Sequence, residues 1–207
     1  IGLDIILFDA EDYGQPAESD YPRMEHSYCL GSQYWATHLH KSNYFAKYGI
    51  LLDMVGGKNA VFTQELSSLT FAPKVLKKVW NTAAELGYGN TFQFKKTNLI
   101  IDDHLYINNL AQGRVPTIDI IEYNEVTESH FYEHWHTHKD KLENIDKNTL
   151  KAVGQTVLQV VYKRRWGFAQ VFEQEHCSTR DAFYVFSFIE NFFNWALSAM
   201  DALSNKD

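Results

Sequence analysis

The stretch YGILLDMV at residues 48–55 is a continuous apolar run that ends at two glycines, Gly56 and Gly57. A short apolar run closed by turn-forming residues is typical of a strand buried on both faces of a parallel sheet. Asp53 lies near the carboxyl end of this predicted strand. Because functional groups in open α/β sheets collect at the carboxyl ends of strands, Asp53 is a candidate for a functional site.

Two other apolar runs resemble it, at Ile5–Phe8 and Val115–Tyr123. Helical patterns lie between or after these runs: Cys29–His40, Pro73–Leu86 and the segment that follows Asp146. The second of these helices is well marked, with proline in its first turn and glycine just past its end. Strands that alternate with helices predict an α/β fold, with a mixed, largely parallel central sheet flanked by helices.

The chain begins inside an apolar run, IGLDIILF, and not with Met. This run is predicted to be a buried central strand, which is an unusual place for a chain to begin because termini are normally peripheral. We therefore expect a chain whose upstream part is missing, with apolar surface exposed along Ile5–Phe8. The alternative is a true N-terminus that happens to form a strand.

The segment from Lys163 onward differs from the rest in its density of aromatic residues. Apolar residues in it recur at helical spacing: Ala182, Phe186, Ile189, Phe193, Ala196 and Met200. This spacing predicts a helix that packs on the body of the protein or on a partner. A membrane span is not expected, because polar and charged residues such as Glu190 and Asp201 interrupt the run.

The composition favours one globular unit and argues against nucleic acid as a partner. The chain has 207 residues, 45% of them hydrophobic, and a formal net charge of −7. An acidic chain without a basic cluster lacks the electrostatic footprint of a nucleic-acid-binding protein. Its two cysteines, Cys29 and Cys177, match no zinc or redox spacing.

Three histidines alternate in the stretch FYEHWHTHKD at residues 131–140. A catalytic zinc site uses three ligands from His, Asp and Glu, and it needs a nearby carboxylate that is not a ligand. The adjacent pair Glu11 and Asp12, which follows the first predicted strand, can divide these two roles. The residues alone leave two interpretations of the histidines open, a metal site or a polar loop.

The motifs DAEDYG, LLDMVGGKNAVF, IDDH and FYEHWHTHKD occur in this order, followed by ENIDKNTLKAVGQTVLQVVY. Together they resemble the zinc aminopeptidase and glutaminyl cyclase family, and within it the animal-type glutaminyl cyclases, including their bacterial members. The resemblance covers about residues 1–162. It implies a zinc exopeptidase-like α/β/α sandwich, with residues 1–162 as the C-terminal part of the catalytic domain and 163–207 as an atypical helical tail.

The resemblance implies a zinc site beside a catalytic acid. Asp12 and His136 match two zinc ligands of the family, and Glu11 matches its general acid/base. The other ligands come from segments upstream of this pair, so only two can be named here, and this chain is expected to bind zinc poorly or not at all. Asp12 also stands where the family more commonly has glutamate, which is longer by one methylene.

The same resemblance implies a hydrogen-bond relay and a walled pocket. Asp53 and Asp102 match carboxylates that form a relay with the catalytic glutamate. Phe131 and Trp135 match aromatic walls of the substrate pocket. His104 follows the relay aspartate, and whether it orients that residue is left open. His134 and His138 are expected to be exposed polar residues.

These roles imply a glutaminyl-peptide cyclotransferase, which converts an N-terminal glutamine of peptides to pyroglutamate and releases ammonia. One zinc ion is expected, and the partners are peptide or protein substrates with N-terminal Gln. The alternatives are a zinc aminopeptidase, in which Asp53 binds a second zinc, or an inactive fragment of either enzyme. Similarity to bacterial cyclases implies a periplasmic or secreted protein.

Overall fold

Helices and strands are interspersed along the whole described chain. The computed structural model describes residues 2–12, 14–15, 19–22 and 24–162, and the backbone of 182–187. In chain order the elements are β1 (Gly2–Ile6), α1 (Leu30–Thr37), β2 (Tyr48–Asp53), β3 (Phe62–Glu65), α2 (Leu66–Phe71), α3 (Pro73–Glu85), β4 (Phe92–Thr97), α4 (Asp103–Leu110), β5 (Thr117–Ile121), a 3-10 turn (Leu142–Asn144), α5 (Lys147–Tyr162) and β6 (Ala182–Ser187).

The main sheet has the strand order β1-β6-β2-β5, and all of its pairs are parallel. The apolar run that predicted β2 pairs on both sides, in register from Gly49 with Thr117 to Asp53 with Ile121 on the β5 side. A second, two-stranded parallel sheet joins β3 and β4. The predicted largely parallel sheet flanked by helices is confirmed.

Alternate residues of β2 enter two separate cores. Ile50 and Leu52 pack into the larger core, together with Trp80 of α3 and Val157 of α5. Leu51 points the other way, into a smaller core formed mainly with α1 and α4. Each large apolar side chain that is fully buried contributes roughly 1.5–3 kcal/mol, so both faces of the strand hold the helices in place. The result is a three-layer α/β/α arrangement. No helix among the described residues is long and apolar enough to cross a lipid bilayer.

Strand β1 departs from the prediction of a buried central strand. It is an edge strand of the described sheet, and Leu3 and Ile5 are 41% and 49% exposed. Exposed apolar surface was expected along Ile5–Phe8, and Ile5 and Leu7 do expose it. Phe8 differs, because its ring packs edge-on against Trp35 and is buried.

Residues 182–187 are a strand and not part of the predicted helix. Their backbone lies between β1 and β2 and pairs in parallel with both. The sequence AFYVFS is rich in the aromatic and β-branched residues that strands favour, and two neighbouring strands override its helical spacing. The rest of the predicted helix, at residues 188–200, lies outside the described residues.

Candidate active site

The loop after β1 is tied to the first turn of α1. The carbonyl oxygens of residues 9–11 accept hydrogen bonds of 2.9–3.1 Å from the backbone N–H groups of residues 29–31. The two segments approach closely at Gly31, where a Cβ atom would lie 2.2 Å from the carbonyl oxygen of Asp9. Only glycine fits there, and the contact fixes the backbone that carries Glu11 and Asp12.

Left-handed backbone conformations surround the site. Non-glycine residues with positive φ include Ala10 at 54°, Cys29 at 56°, Met54 at 48° and His136 at 56°. His136 belongs to the predicted site, Ala10 and Met54 adjoin Glu11 and Asp53 in sequence, and Cys29 contacts Glu11 through its thiol. Such conformations cost of order 1–3 kcal/mol each and persist where the surrounding structure enforces them. Four of the eight non-glycine residues with positive φ among the described residues lie here, and at these positions the fold holds the backbone beside Glu11 and Asp53.

The predicted carboxylates meet at the edge formed by the ends of β1 and β2. Atoms of Glu11, Cys29 and Asp102 lie within 4.8 Å of one another. Asp102 is the N-cap of α4 and is only 5% exposed; its Oδ1 accepts a 2.5 Å hydrogen bond from the Asp103 N–H. Asp53 ends β2 and interacts electrostatically with Asp12 and Asp103. The structure therefore brings Glu11, Asp53 and Asp102 into one acidic cluster.

Burial and mutual repulsion raise the pKa values of this cluster. Burial raises the pKa of Glu11 to about 9, with further contributions from the hydrogen bond and charge of Asp12 and from Asp53. Burial likewise raises the pKa of Asp53 to about 7, and burial with the charge of Asp53 raises the pKa of Asp102 well above its ordinary value. Carboxyl groups in such proximity share protons near neutral pH, as general acid/base catalysis requires.

The side chains of Asp12 and His136 face each other at the solvent edge of the cluster. His136 Nε2 lies 3.3 Å from Asp12 Oδ1, and both side chains are substantially exposed. Two ligands of a tetrahedral zinc with bonds of about 2.0–2.1 Å are separated by about 3.3 Å. The pair therefore fits two neighbouring ligands of one zinc ion and leaves its other positions for further ligands, water or substrate.

Two cavities meet at these residues. One, of about 220 Å³, is lined by Glu11, Asp12, Asp53, Trp135 and His136, among others. The second, of about 490 Å³, shares Glu11, Trp135 and His136 with the first and adds apolar side chains that include Ile100, Ile101 and Phe131. The aromatic residues predicted as pocket walls do line cavities, and the predicted acid lies where the two cavities join.

The histidine-rich segment forms successive turns and is not extended. Trp135 stacks on His136, with ring centroids 3.9 Å apart and planes 22° from parallel, and its ring centroid lies 4.9 Å from that of Phe131. His134 lies 3.9 Å from Glu133, and His138 is exposed. Only His136 of the three reaches the acidic cluster.

Glu122 and Cys29 line the site without having been predicted. Glu122 follows β5, is 5% exposed, and burial raises its pKa to about 7. Its position at a strand end is the signal that identified Asp53. The Cys29 thiol donates to Glu11 Oε1 at 3.8 Å. Burial and the charges of Asp102 and Asp103 raise the thiol pKa, so Cys29 remains a neutral donor.

The sequence profile of Peptidase family M28 matches residues 1–161. The chain belongs to this family. That result confirms the resemblance drawn from the four motifs. A comparison with curated proteins gave no match.

Solved structures related to this M28 chain include both cyclases and an exopeptidase. A Zn-dependent exopeptidase from Parabacteroides distasonis is 50% identical, with a TM-score of 0.72, over 76% of this chain and 53% of its own. A glutaminyl cyclase from Tannerella forsythia is 48% identical (TM-score 0.71; 75% and 52% covered). A glutaminyl cyclase from Bacteroides thetaiotaomicron, bound to N-acetylhistamine, is 53% identical (TM-score 0.70; 75% and 52% covered). The chain thus spans about half the length of these structures.

Proposed function

We propose that this chain carries the site of a zinc-dependent glutaminyl-peptide cyclotransferase. The observation that carries the proposal is the position of Glu11, between the exposed pair Asp12–His136 and the carboxyl groups of Asp53 and Asp102. Two related structures at about half sequence identity are named glutaminyl cyclases. The substrate is a peptide or protein with an N-terminal glutamine.

The chemistry needs a proton to be moved between two nitrogens of the substrate. The α-amine attacks the carbon of the side-chain amide, a new C–N bond closes the ring, and the bond to the amide nitrogen breaks to release ammonia. Glu11 takes the proton from the attacking amine and gives it to the departing nitrogen. Zinc held by Asp12 and His136 would polarise the amide carbonyl as a Lewis acid.

The acidic cluster determines whether Glu11 is protonated or ionised when this transfer begins. Without a cation, burial and the neighbouring carboxylates raise the pKa of Glu11 to about 9 and keep it protonated at neutral pH. A divalent cation at Asp12 favours the ionised, basic form of Glu11. Asp53 and Asp102 interact with Glu11 electrostatically and share the protons of the cluster with it. Trp135 covers the cavity that receives the glutamine side chain and excludes water.

A zinc aminopeptidase is the second candidate, supported by the related Zn-dependent exopeptidase. In that enzyme Asp53 would bind a second zinc ion, and Glu11 would activate a water molecule. Asp53 interacts electrostatically with Asp103 and Asp12, an arrangement that fits a shared proton or a second zinc ion, so the number of zinc ions decides between the two enzymes. Two zinc ions per chain at saturation would move the assignment to the aminopeptidase, and one would support the cyclase.

The test is incubation of the zinc-supplemented chain with a Gln-initiated peptide, followed by mass spectrometry. Loss of one ammonia from the otherwise intact peptide supports the cyclase. Release of the first residue supports the aminopeptidase. An unchanged peptide in the presence of bound zinc overturns catalysis by this chain alone and supports a non-catalytic role.

We also propose that residues 1–162 form part of a catalytic domain whose main sheet also includes residues 182–187, between β1 and β2. We propose further that the protein works in the periplasm or outside the cell. Support for this location is the similarity to bacterial glutaminyl cyclases. Cell fractionation tests it, and recovery of the protein with the cytoplasm would contradict it.

A further inference from the structure

A row of ionisable side chains lies beneath the acidic cluster, inside the protein. Glu65, His104 and Asp119 are each 1% exposed or less. His104 Nε2 lies 3.2 Å from Glu65 Oε1, and His104 Nδ1 lies 3.4 Å from Asp119 Oδ2. Burying ionisable groups is unfavourable unless they are paired and hydrogen-bonded. Each member of this row therefore depends on its neighbour.

Glu65 is the fixed end of the row. It caps α2, and its two carboxylate oxygens accept hydrogen bonds from the N–H groups of Ser67 and Ser68. Burial alone would raise the pKa of Glu65, but the hydrogen bonds from His104 and Ser68 outweigh it and lower the pKa. Glu65 is thus an ionised acceptor, and the proton on His104 Nε2 points toward it. His104 Nδ1 is left to face Asp119.

The other end of the row reaches the proposed active site. Atoms of Asp102, His104 and Asp119 lie within 4.8 Å of one another, and Asp102 is in turn within the same distance of Glu11. Asp102 Oδ1 is already occupied by the Asp103 N–H. Its Oδ2 is buried without a hydrogen-bond partner in the described part of the chain, as are both side-chain oxygens of Asp119. A proton between Asp102 and Asp119 would satisfy both groups.

The row joins elements that also carry the site. Glu65 ends β3, His104 is in the first turn of α4, and Asp119 is in the middle of β5. A hydrogen bond from the Asp119 N–H to the Ser68 hydroxyl, 2.9 Å long, ties β5 to α2. Since Asp102 caps α4, any shift of His104 moves the start of that helix and with it Asp102.

We propose that Glu65, His104 and Asp119 form a positioning array that orients the Asp102 carboxyl, and through it Glu11. This inference rests on the proposed function for its effect on turnover. None of the three residues touches the cavities around Glu11, so they act through Asp102 and are positioning residues.

Two substitutions of His104 separate the two contacts. The side-chain amide of asparagine reaches roughly the place of Nδ1, and its oxygen can accept a hydrogen bond from a protonated Asp119, so His104→Asn keeps the contact to Asp119. The amide nitrogen of glutamine reaches roughly the place of Nε2, so His104→Gln keeps only the contact to Glu65. Asn108→Leu is the matched control. Asn108 is one turn along α4, is buried, and exchanges hydrogen bonds of 2.8 and 2.9 Å with Thr117 of β5.

We expect His104→Gln to lower kcat for ammonia release about 10–100-fold, as loss of an outer hydrogen-bond partner typically does, with KM within about twofold. His104→Asn keeps most of kcat, and Asn108→Leu lowers the unfolding temperature without lowering kcat. Equal loss of kcat in the two His104 variants overturns the array. Loss of a bound metal ion from either His104 variant also overturns the array, because Asp102, His104 and Asp119 would then form a metal site.

A substrate-free measurement separates this inference from the proposed function. We expect the ¹³C shift of the Asp102 side-chain carboxyl to move in His104→Gln, and to stay in place in His104→Asn and Asn108→Leu. If it moves in this way while the wild type releases no ammonia, the proposed cyclase fails and the array stands. If it stays in place in all three variants, the array fails whatever the wild type does.

Discussion

Glu122→Gln is expected to stabilise the protein, and only above mildly acidic pH. Glu122 is 5% exposed, and burial raises its pKa from the ordinary value of 4.5 to about 7. Its Oε2 has no hydrogen-bond partner among the described residues, and it lies where a Cβ on Gly57 would approach to 2.3 Å. The ionised carboxylate is therefore poorly accommodated, whereas a neutral amide of the same size is tolerated.

The sign follows from proton binding in the two states. Between pH 4.5 and 7 the unfolded state has lost the proton of Glu122 while the folded state retains it, so folding stability falls as pH rises. A tenfold change in proton affinity is worth about 1.4 kcal/mol, so the rise in pKa corresponds to about 3 kcal/mol. The side chain lines a cavity open to solvent, and screening reduces the expected effect to roughly 1–3 kcal/mol.

Urea unfolding at pH 4.5, 6 and 8 measures the effect. We expect the variant and the wild type to differ little at pH 4.5, and the variant to gain roughly 1–3 kcal/mol by pH 8. Glu128→Gln is the control, since Glu128 is exposed in the same connection, and it should be nearly neutral at each pH. A Glu122→Gln gain that is the same at pH 4.5 and pH 8 would refute the reasoning, because it would not arise from ionisation.

Three further predictions concern the proposed chemistry and the backbone that supports it. Glu11→Gln should lower kcat for ammonia release by about 10²–10⁴-fold and leave zinc content unchanged by elemental analysis; an active variant would remove Glu11 from the acid/base role. His136→Ala should weaken zinc binding, measured by calorimetry, by more than the roughly 10–100-fold typical of outer-shell changes. His138→Ala alters an exposed neighbour and should leave the zinc affinity unchanged. Equal zinc affinities of the two variants would contradict the assignment of His136 as a ligand. Gly31→Ala should lower the free energy of unfolding in urea by about 1–3 kcal/mol, because its Cβ would clash with the Asp9 carbonyl. Gly89→Ala is the control and should be nearly neutral, since a Cβ there meets nothing within 4 Å. Similar values for the two variants would show that the loop around Asp9 moves to accommodate the methyl group.

The parts of the site at strand ends were predictable, because strand ends are visible in an apolar pattern. Asp53 follows a run that can only be buried, and Glu11 and Asp12 follow another. The start of α4 was not predicted, since the aspartate pair of IDDH was not identified as a helix N-cap, although Asp102 caps that helix. Capping residues and catalytic carboxylates are the same amino acids, and spacing does not separate them.

The segment at 182–187 and the array around His104 show what local pattern misses. Aromatic and apolar residues at 182 and 186 fit a helix as well as a strand, and only pairing with β1 and β2 decides between them. The partners of His104 come from two other elements far apart in sequence. One signal was present in the sequence: Asp119 interrupts the apolar run TIDII, and a carboxyl group in a strand buried on both faces requires a partner.

The site is built from four distant stretches of chain, around residues 11, 53, 102 and 136, that meet only at the edge of a parallel sheet. Parallel strands are separated by long connections, and these connections must close before the strands can pair. Sheets of this kind therefore fold slowly. No subset of these stretches can assemble the acid, its relay and the metal-binding pair early. Ammonia release should therefore recover during refolding with the last and slowest phase, later than the circular dichroism signal of the helices. Catalytic activity then indicates that the sheet is complete.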